Sequence, residues 1–273
     1  MQLTLGRIRF FQQKIRSFFK EHGRILPWRQ TSDPYKILVS EIMLQQTQTD
    51  RVISKYQAFI KVFPDFKALV NATNQQVLSL WSGLGYNRRA LLLKRCAEVV
   101  VLNYNAKLPQ SENQLRTLPG VGPYTAGAIM AFAFNKPTVM IETNIRTVFL
   151  HEFFQDKTGV NDREIIPLIK QALDERNARV WYWALMDYGA YLKKLVTNPN
   201  RRSKHYTKQS KFVGSNRQIR GQILKLLLQE KQLDKRQLAD LLQKDEDLVE
   251  KILEQMVKEG FIVGRSQKFV IRS

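Results

Sequence analysis

The chain has 273 residues, 44% of them hydrophobic and 10% aromatic, which leaves room for one large or two ordinary domains plus a small appendage and excludes a disordered protein. Its 44 Lys and Arg against 24 Asp and Glu give a formal net charge of +20. That points to a polyanionic partner, although charge alone does not separate DNA, RNA, ribosome and anionic membrane. There is no stretch of about 18 uncharged apolar residues, so no membrane span is expected. The single cysteine, Cys96, excludes internal disulfides and any multi-cysteine metal site, and it suits a reducing, cytoplasmic interior.

The first segment is basic and amphipathic, like a transit peptide, but it has no apolar h-region and carries Glu21. Ile8, Phe11, Ile15, Phe18 and Phe19 recur at helical spacing, so a first structural helix over 7–22 is expected, ended by Gly23. Leu26 to Arg29 and Asp33-Pro34 read as turns. Helices follow over 34–46 and 49–63; residues 65–70 come next, and then a helix over 74–81. Gly83-Leu84-Gly85-Tyr86 is a glycine-flanked turn before a basic helix over 88–104. Residues 112–118 lead into Leu118–Gly127, and further helices are expected over 123–134, 144–154, 162–177 and 179–195. From Lys193 to Arg220 the chain is basic without an acidic residue, either a solvated linker or a segment lying along phosphates. Three short helices over 217–229, 235–243 and 246–259, then two strands around Ser266-Gln267, resemble a winged-helix module. Such modules bind DNA or protein. The fold class expected is all-α, with a main domain over 1–192, a basic segment over 193–215 and the winged-helix-like module over 216–273.

The run LPGVGPYTAG, residues 118–127, organises the middle of the chain. Pro119, Gly120, Val121 and Gly122 interrupt helix on both sides, and two glycines allow positive φ and close backbone approach. Pro123 suits the first turn of a new helix. A helix, a tight hairpin and a second helix with outward amides make an anion site, here for a nucleic-acid phosphate. The same residues also make an ordinary loop with a C-cap glycine.

Glu41 stands on an otherwise apolar helix beside Met43 and Leu44. Buried there, it would hold a proton near neutral pH; on a surface, it would be an ordinary helical glutamate. Glu142 follows the apolar run Thr138–Ile141 just before a helix, where a carboxylate also suits the N-terminus. Two carboxylates around one pocket fit glycosidic-bond cleavage: one protonates the leaving group and the other stabilises the oxocarbenium-like sugar. Gln45, Gln46 and Tyr86 have amide and aromatic groups able to fill a gap in a base stack.

LPWR (Leu26–Arg29), SEIMLQQTQ (Ser40–Gln48), WSGLGY (Trp81–Tyr86), LPGVGPYTAGA (Leu118–Ala128) and MDYGA (Met186–Ala190) stand in order. Over residues 26–192 the chain resembles the helix-hairpin-helix DNA glycosylases, and within them the MutY-type adenine glycosylases. The resemblance implies a two-lobed helical fold acting on mismatched or damaged double-stranded DNA. By the same resemblance, Glu41 is the general acid that protonates adenine and then handles the attacking water. Gln45, Gln46 and Tyr86 enter the duplex beside the extruded nucleotide, and Gly120 and Gly122 hold backbone phosphate. Asn144 and Tyr124 position the surroundings. Tyr124 stands where endonuclease III-like relatives carry a Schiff-base lysine, so hydrolysis rather than lyase chemistry is expected.

Three departures qualify the resemblance. The family's catalytic aspartate falls at Glu142, one methylene longer, which resets the distance to the anomeric carbon and puts rate and base preference in question. The four cysteines of the family's iron–sulfur cluster fall, counting without gaps, at Lys193, Asn200, Ser203 and Gln209; no cluster is expected, and Arg201, Arg202 and Lys204 are expected to contact DNA without it. The family's C-terminal domain for recognising 8-oxoguanine is not expected here; the winged-helix-like module is expected in its place, with opposite-base discrimination poor or assigned differently. The expectation is therefore a monomeric, monofunctional glycosylase removing adenine opposite guanine or 8-oxoguanine, cytoplasmic and nucleoid-associated if bacterial. A thymine or uracil mismatch glycosylase of the same fold and an inactive DNA-binding protein are the alternatives. No side chain demands a metal, although family hairpins hold a cation through backbone carbonyls.

Overall fold

The structure, a computed structural model, describes residues 2–208 and 211–272. In chain order it consists of α1 (Leu5–His22), a 3₁₀ turn (Pro27–Arg29), α2 (Pro34–Leu44), α3 (Thr49–Val62), α4 (Phe66–Asn71), α5 (Asn74–Trp81) and α6 (Arg88–Tyr104). Then come α7 (Glu112–Leu115), α8 (Pro123–Phe132), α9 (Thr143–Phe153), α10 (Asp162–Ala172), α11 (Ala178–Leu195) and a second 3₁₀ turn (Pro199–Arg202). The chain closes with α12 (Asn216–Glu230), β1 (Gln232–Asp234), α13 (Lys235–Leu242), α14 (Glu246–Lys258), β2 (Ile262–Arg265) and β3 (Lys268–Ile271). The fold is all-α with a small C-terminal sheet. Among the described residues no helix is long and apolar enough to cross a membrane.

Two compact units form, each from two stretches of chain: residues 1–41 with 108–208, and 42–107 with 209–273. The division falls inside α2, directly after Glu41. In the first unit the apolar stripe of α1 meets α9 and α11. Phe11 packs edge-on against Phe149, Phe153 and Trp181 at centroid distances of 5.5, 5.1 and 5.8 Å, and such pairs add to the burial of their area. In the second unit Phe59 and Trp81 join α3 to α5.

Local signals set the helix ends. Thr73 and Gln76 form a reciprocal capping box at α5, as do Asn161 and Glu164 at α10 and Asp234 and Gln237 at α13. The helix expected over 162–177 stops at Ala172, and the lead-in over 112–118 contains a single helical turn ending at Leu115.

The C-terminal module runs in the order α12–β1–α13–α14–β2–β3. Its sheet is antiparallel, ordered β1–β3–β2, with Leu233 opposite Phe269 and Val263 opposite Val270. β1 is absent from the sequence expectation because three residues are too few to display alternation. Ser266 and Gln267 both take positive φ, as a two-residue hairpin of matching twist requires.

Candidate active site

Glu41 is 5% exposed on α2, among the buried side chains of Ile37, Leu38 and Ile42. The Tyr124 hydroxyl, from α8, donates to its Oε2 at 3.2 Å. Burial raises its pKa to about 7, with Glu142 adding to the rise while Tyr124 and Arg29 work against it. No ion pair reaches Glu41 among the described residues. Burial, with the nearby Glu41 and Glu142, holds Tyr124 well above the ordinary phenol range, so its hydroxyl stays a donor.

Arg29 is itself committed. Its guanidinium grips Asp187 with two bonds of 2.8 and 2.9 Å, and the Arg24 Nε and backbone N–H complete the carboxylate's set at 2.7 and 2.9 Å. Burial works to raise Asp187, yet these arginines hold it below the ordinary carboxylate range. The LPWR and MDYGA motifs are thus two halves of one buried ion pair.

Glu142 is the N-cap of α9. Its Oε1 accepts from the Asn144 and Ile145 N–H groups, each at 2.8 Å, and its Oε2 from Asn144 Nδ2 at 3.2 Å. Glutamate is not among the favoured caps, but its extra methylene lets the carboxylate turn back over the helix end. Burial nonetheless leaves its pKa raised, with the two N–H bonds and the charges of Lys193 and Arg146 opposing that.

The lead-in to Glu142 is fixed on two sides. Tyr182 donates to the Thr138 carbonyl at 2.6 Å and accepts from Met140 N–H at 3.3 Å. On the other side Gly189 lets α11 come so close that an added Cβ would lie 2.2 Å from the Asn144 carbonyl oxygen. Asn144 Oδ1 is buried without a hydrogen-bond partner among the described residues. Glu41, Tyr124, Glu142 and Asn144 thus belong to one unit; Tyr124 bonds the Glu41 carboxylate and Asn144 that of Glu142.

In the hairpin, Val121 N–H donates to the Leu118 carbonyl at 3.1 Å and Pro119 and Gly120 form the tip. Only Gly120 uses positive φ, at 78°. Gly122 is extended, at φ −85° and ψ 179°, and caps α8 ahead of Pro123. Apart from its chain neighbours, no atom of the described residues lies within 4 Å of where its Cβ would be.

The second unit carries Gln45, Gln46 and Tyr86. Gln46 and Tyr86 both take positive φ, 56° and 47°. Arg89, buried at the start of α6, joins their two turns. It donates to the carbonyls of Ile42, Met43 and Gln45, to Thr47 Oγ1 and to the Gly85 carbonyl, and its guanidinium lies over the Trp81 and Tyr86 rings. Burial lowers its pKa to about 10, so it remains charged at neutral pH. Sequence reading missed Arg89 because Arg88, which is exposed, has the same side chain.

The basic segment divides by role. Arg201 and Lys204 are exposed. Arg202 instead donates to the carbonyls of Leu150, at 3.0 Å, and Gln155 around the end of α9. Of the expected cluster positions, Lys193 is half-buried on α11, and its charge acts on Glu142. Asn200 is buried, donating to the Thr143 carbonyl at 3.2 Å and to Thr147 Oγ1. Ser203 is buried in a parallel bridge with Val160. Gln209 lies outside the described residues. An amine, an amide and a hydroxyl do not supply the thiolates an iron–sulfur cluster needs, and Cys96 is buried on α6 in the other unit with its thiol pushed up to about 12.

Comparison with known proteins agrees with this geometry. Residues 39–170 match the HhH-GPD superfamily base excision DNA repair proteins. The adenine DNA glycosylase of Mycobacterium tuberculosis is 32% identical over 266 residues, covering 85% of each chain. That of Buchnera aphidicola subsp. Baizongia pistaciae is 36% identical over 194 residues, which cover 69% of this chain and 54% of the relative. The chain therefore spans about half the length of the Buchnera relative. Among solved structures, a thermostable thymine-DNA glycosylase superposes with a TM-score of 0.62 at 28% identity, over 67% of this chain and 86% of its own. An endonuclease III–DNA covalent intermediate shares the fold at 0.59 and 18% identity, over 70% and 88%. The chain belongs to the HhH-GPD superfamily of base excision DNA repair proteins and, within it, to the MutY-type adenine DNA glycosylases.

Proposed function

We propose that the protein is a monofunctional DNA glycosylase that binds double-stranded DNA and hydrolyses the N-glycosidic bond of a flipped adenine mispaired with guanine or 8-oxoguanine. The observation that carries this reading is Glu41: a buried carboxylate with one hydrogen-bonding neighbour and a pKa of about 7, which holds a proton where a base must receive one. Glu41 gives that proton to an adenine ring nitrogen. The C1′–N9 bond breaks with its electron pair leaving on the base. The ionised form of Glu142, anchored by the α9 amides, stabilises the positive charge left on the sugar. Water then adds at C1′ and returns a proton to Glu41, and the unpartnered Asn144 Oδ1 is an acceptor able to orient that water. Tyr124 puts a hydroxyl, not an amine, beside Glu41, which supports hydrolysis over Schiff-base lyase chemistry.

Gln45, Gln46 and Tyr86 fill the stack from which the nucleotide is drawn, and the hairpin from Pro119 to Gly122 receives a backbone phosphate. The segment over 196–205 works without an iron–sulfur cluster; the Asn200 and Arg202 bonds and the Ser203 bridge support its ordering, and Arg201 and Lys204 face DNA. Arg201→Glu with Lys204→Glu should weaken duplex binding and flatten its salt dependence; unchanged binding rejects that contact.

Base release from duplexes carrying A:8-oxoG, A:G, A:C, T:G and U:G tests the whole reading. Adenine release is expected, with loss in Glu41→Gln. The likeness to the thymine-DNA glycosylase makes thymine or uracil release the outcome that would reassign the substrate, and no release from any duplex would reject the enzyme.

A further inference from the structure

In the second unit a cavity of about 1290 Å³ is lined by the Gln45–Gln48 turn, the Gly83–Tyr86 turn and the first helix of the winged-helix module, α12. Arg51, Lys55, Arg88, Arg217, Arg220 and Lys225 face it; Glu259, the acidic side chain in its lining, is paired to Arg220. Arg217 Nη1 donates to the Tyr86 hydroxyl at 2.8 Å and its guanidinium lies 5.8 Å from the ring centroid. The module is therefore built onto the turn that holds Tyr86. Phe212, 58% exposed, also lines the cavity, placing an aromatic face within a cationic wall, the combination that binds bases and backbone together.

We infer that α12 completes a DNA-binding cavity with the two turns, that the cavity takes the strand bearing the base left unpaired, and that Arg217 is a positioning residue for Tyr86. The inference rests on the function proposed above, because groups filling the vacated place in the stack lie against the orphaned base. The cavity shares those groups, so the strand it meets is the one that carries that base. Arg217 supplies a planar fork that bonds the hydroxyl while lying over the ring, which a lysine cannot copy. Lys225 acts as a phosphate contact.

Binding to duplexes with a tetrahydrofuran abasic analogue opposite 2-aminopurine tests this without any need for base release. Arg217→Ala should weaken binding about tenfold and reduce the 2-aminopurine fluorescence change that reports unstacking. Arg217→Lys should keep the salt dependence but not the fluorescence change. Lys225→Ala, at an exposed position, should lower the slope of log affinity on log salt by about one. Wild-type affinity, slope and fluorescence in Arg217→Ala and Lys225→Ala would overturn the inference and leave the module a scaffold or protein-docking element. If these dependences hold while the wild type releases no base, the inference stands and the proposed function fails.

Discussion

Arg89 in the second unit and Glu41 in the first are both buried ionisable side chains, and they are treated in opposite ways. Arg89 is saturated: five carbonyls and a hydroxyl receive its guanidinium, and two rings flank it. Glu41 has one phenol and no ion pair among the described residues. A buried charge with its hydrogen bonds filled is a structural joint, since losing it strands every partner. A buried acid with few partners finds its protonation states close in energy near neutral pH, as proton transfer requires. The first pattern builds the surface proposed to read the duplex; the second builds the proposed proton-transfer site.

Substitutions should separate the two kinds of site, beginning with the largest effect. Glu41→Gln is expected to slow base release about 10⁴-fold, the upper range for general acid–base catalysis, while duplex affinity stays within a few-fold; single-turnover rates and binding titrations measure both. Glu142→Gln keeps the cap's reach and its acceptor but loses the charge, so release should fall about 10²- to 10³-fold with little change in melting temperature.

Arg89→Met should do the reverse. Stranding several carbonyls costs about 3 kcal/mol or more, and both turns lose their tie, so unfolding midpoint and duplex affinity fall further than the chemical step. An equal loss of chemistry would break the distinction. Gly189→Ala, which forces a Cβ against Asn144, should cost about 1–3 kcal/mol and lower the rate without altering the salt slope of binding.

Much of this was legible in the sequence. Glu41 stood out as an acid on an apolar helix, and Pro123 marked the start of α8. Resemblance carried Asn144 and Tyr124, whose bonds to the two carboxylates only the fold displays. The Arg29–Asp187 pair joins residues 158 apart, and no local pattern signals a contact at that range. Arg88 and Arg89 differ only in which face of α6 turns inward. Gly122 reads as a positive-φ glycine, but its backbone is extended, and beyond its chain neighbours no atom of the described residues crowds its Cβ position. Glu142 looked like a misfit for an aspartate's place because sequence does not reveal that its carboxylate bends back to cap α9.

In the proposed mechanism Glu41 delivers the proton. The sign of its pH dependence is fixed by the raised pKa: from the ordinary 4.5 to about 7 the folded state holds a proton that the unfolded chain releases. Ionisation therefore costs wild type about 1.4 kcal/mol per pH unit across that window. Glu41→Gln should gain stability relative to wild type as pH rises to about 7 and no further. The most direct measurement is the pH profile of adenine release at enzyme concentrations below saturation, which reports the free enzyme's acid. The rate should fall on the alkaline side with a midpoint near 7, and Glu41→Gln should keep a residual rate without that limb. A profile flat from pH 5 to 9, or the same alkaline limb in Glu41→Gln, would contradict it.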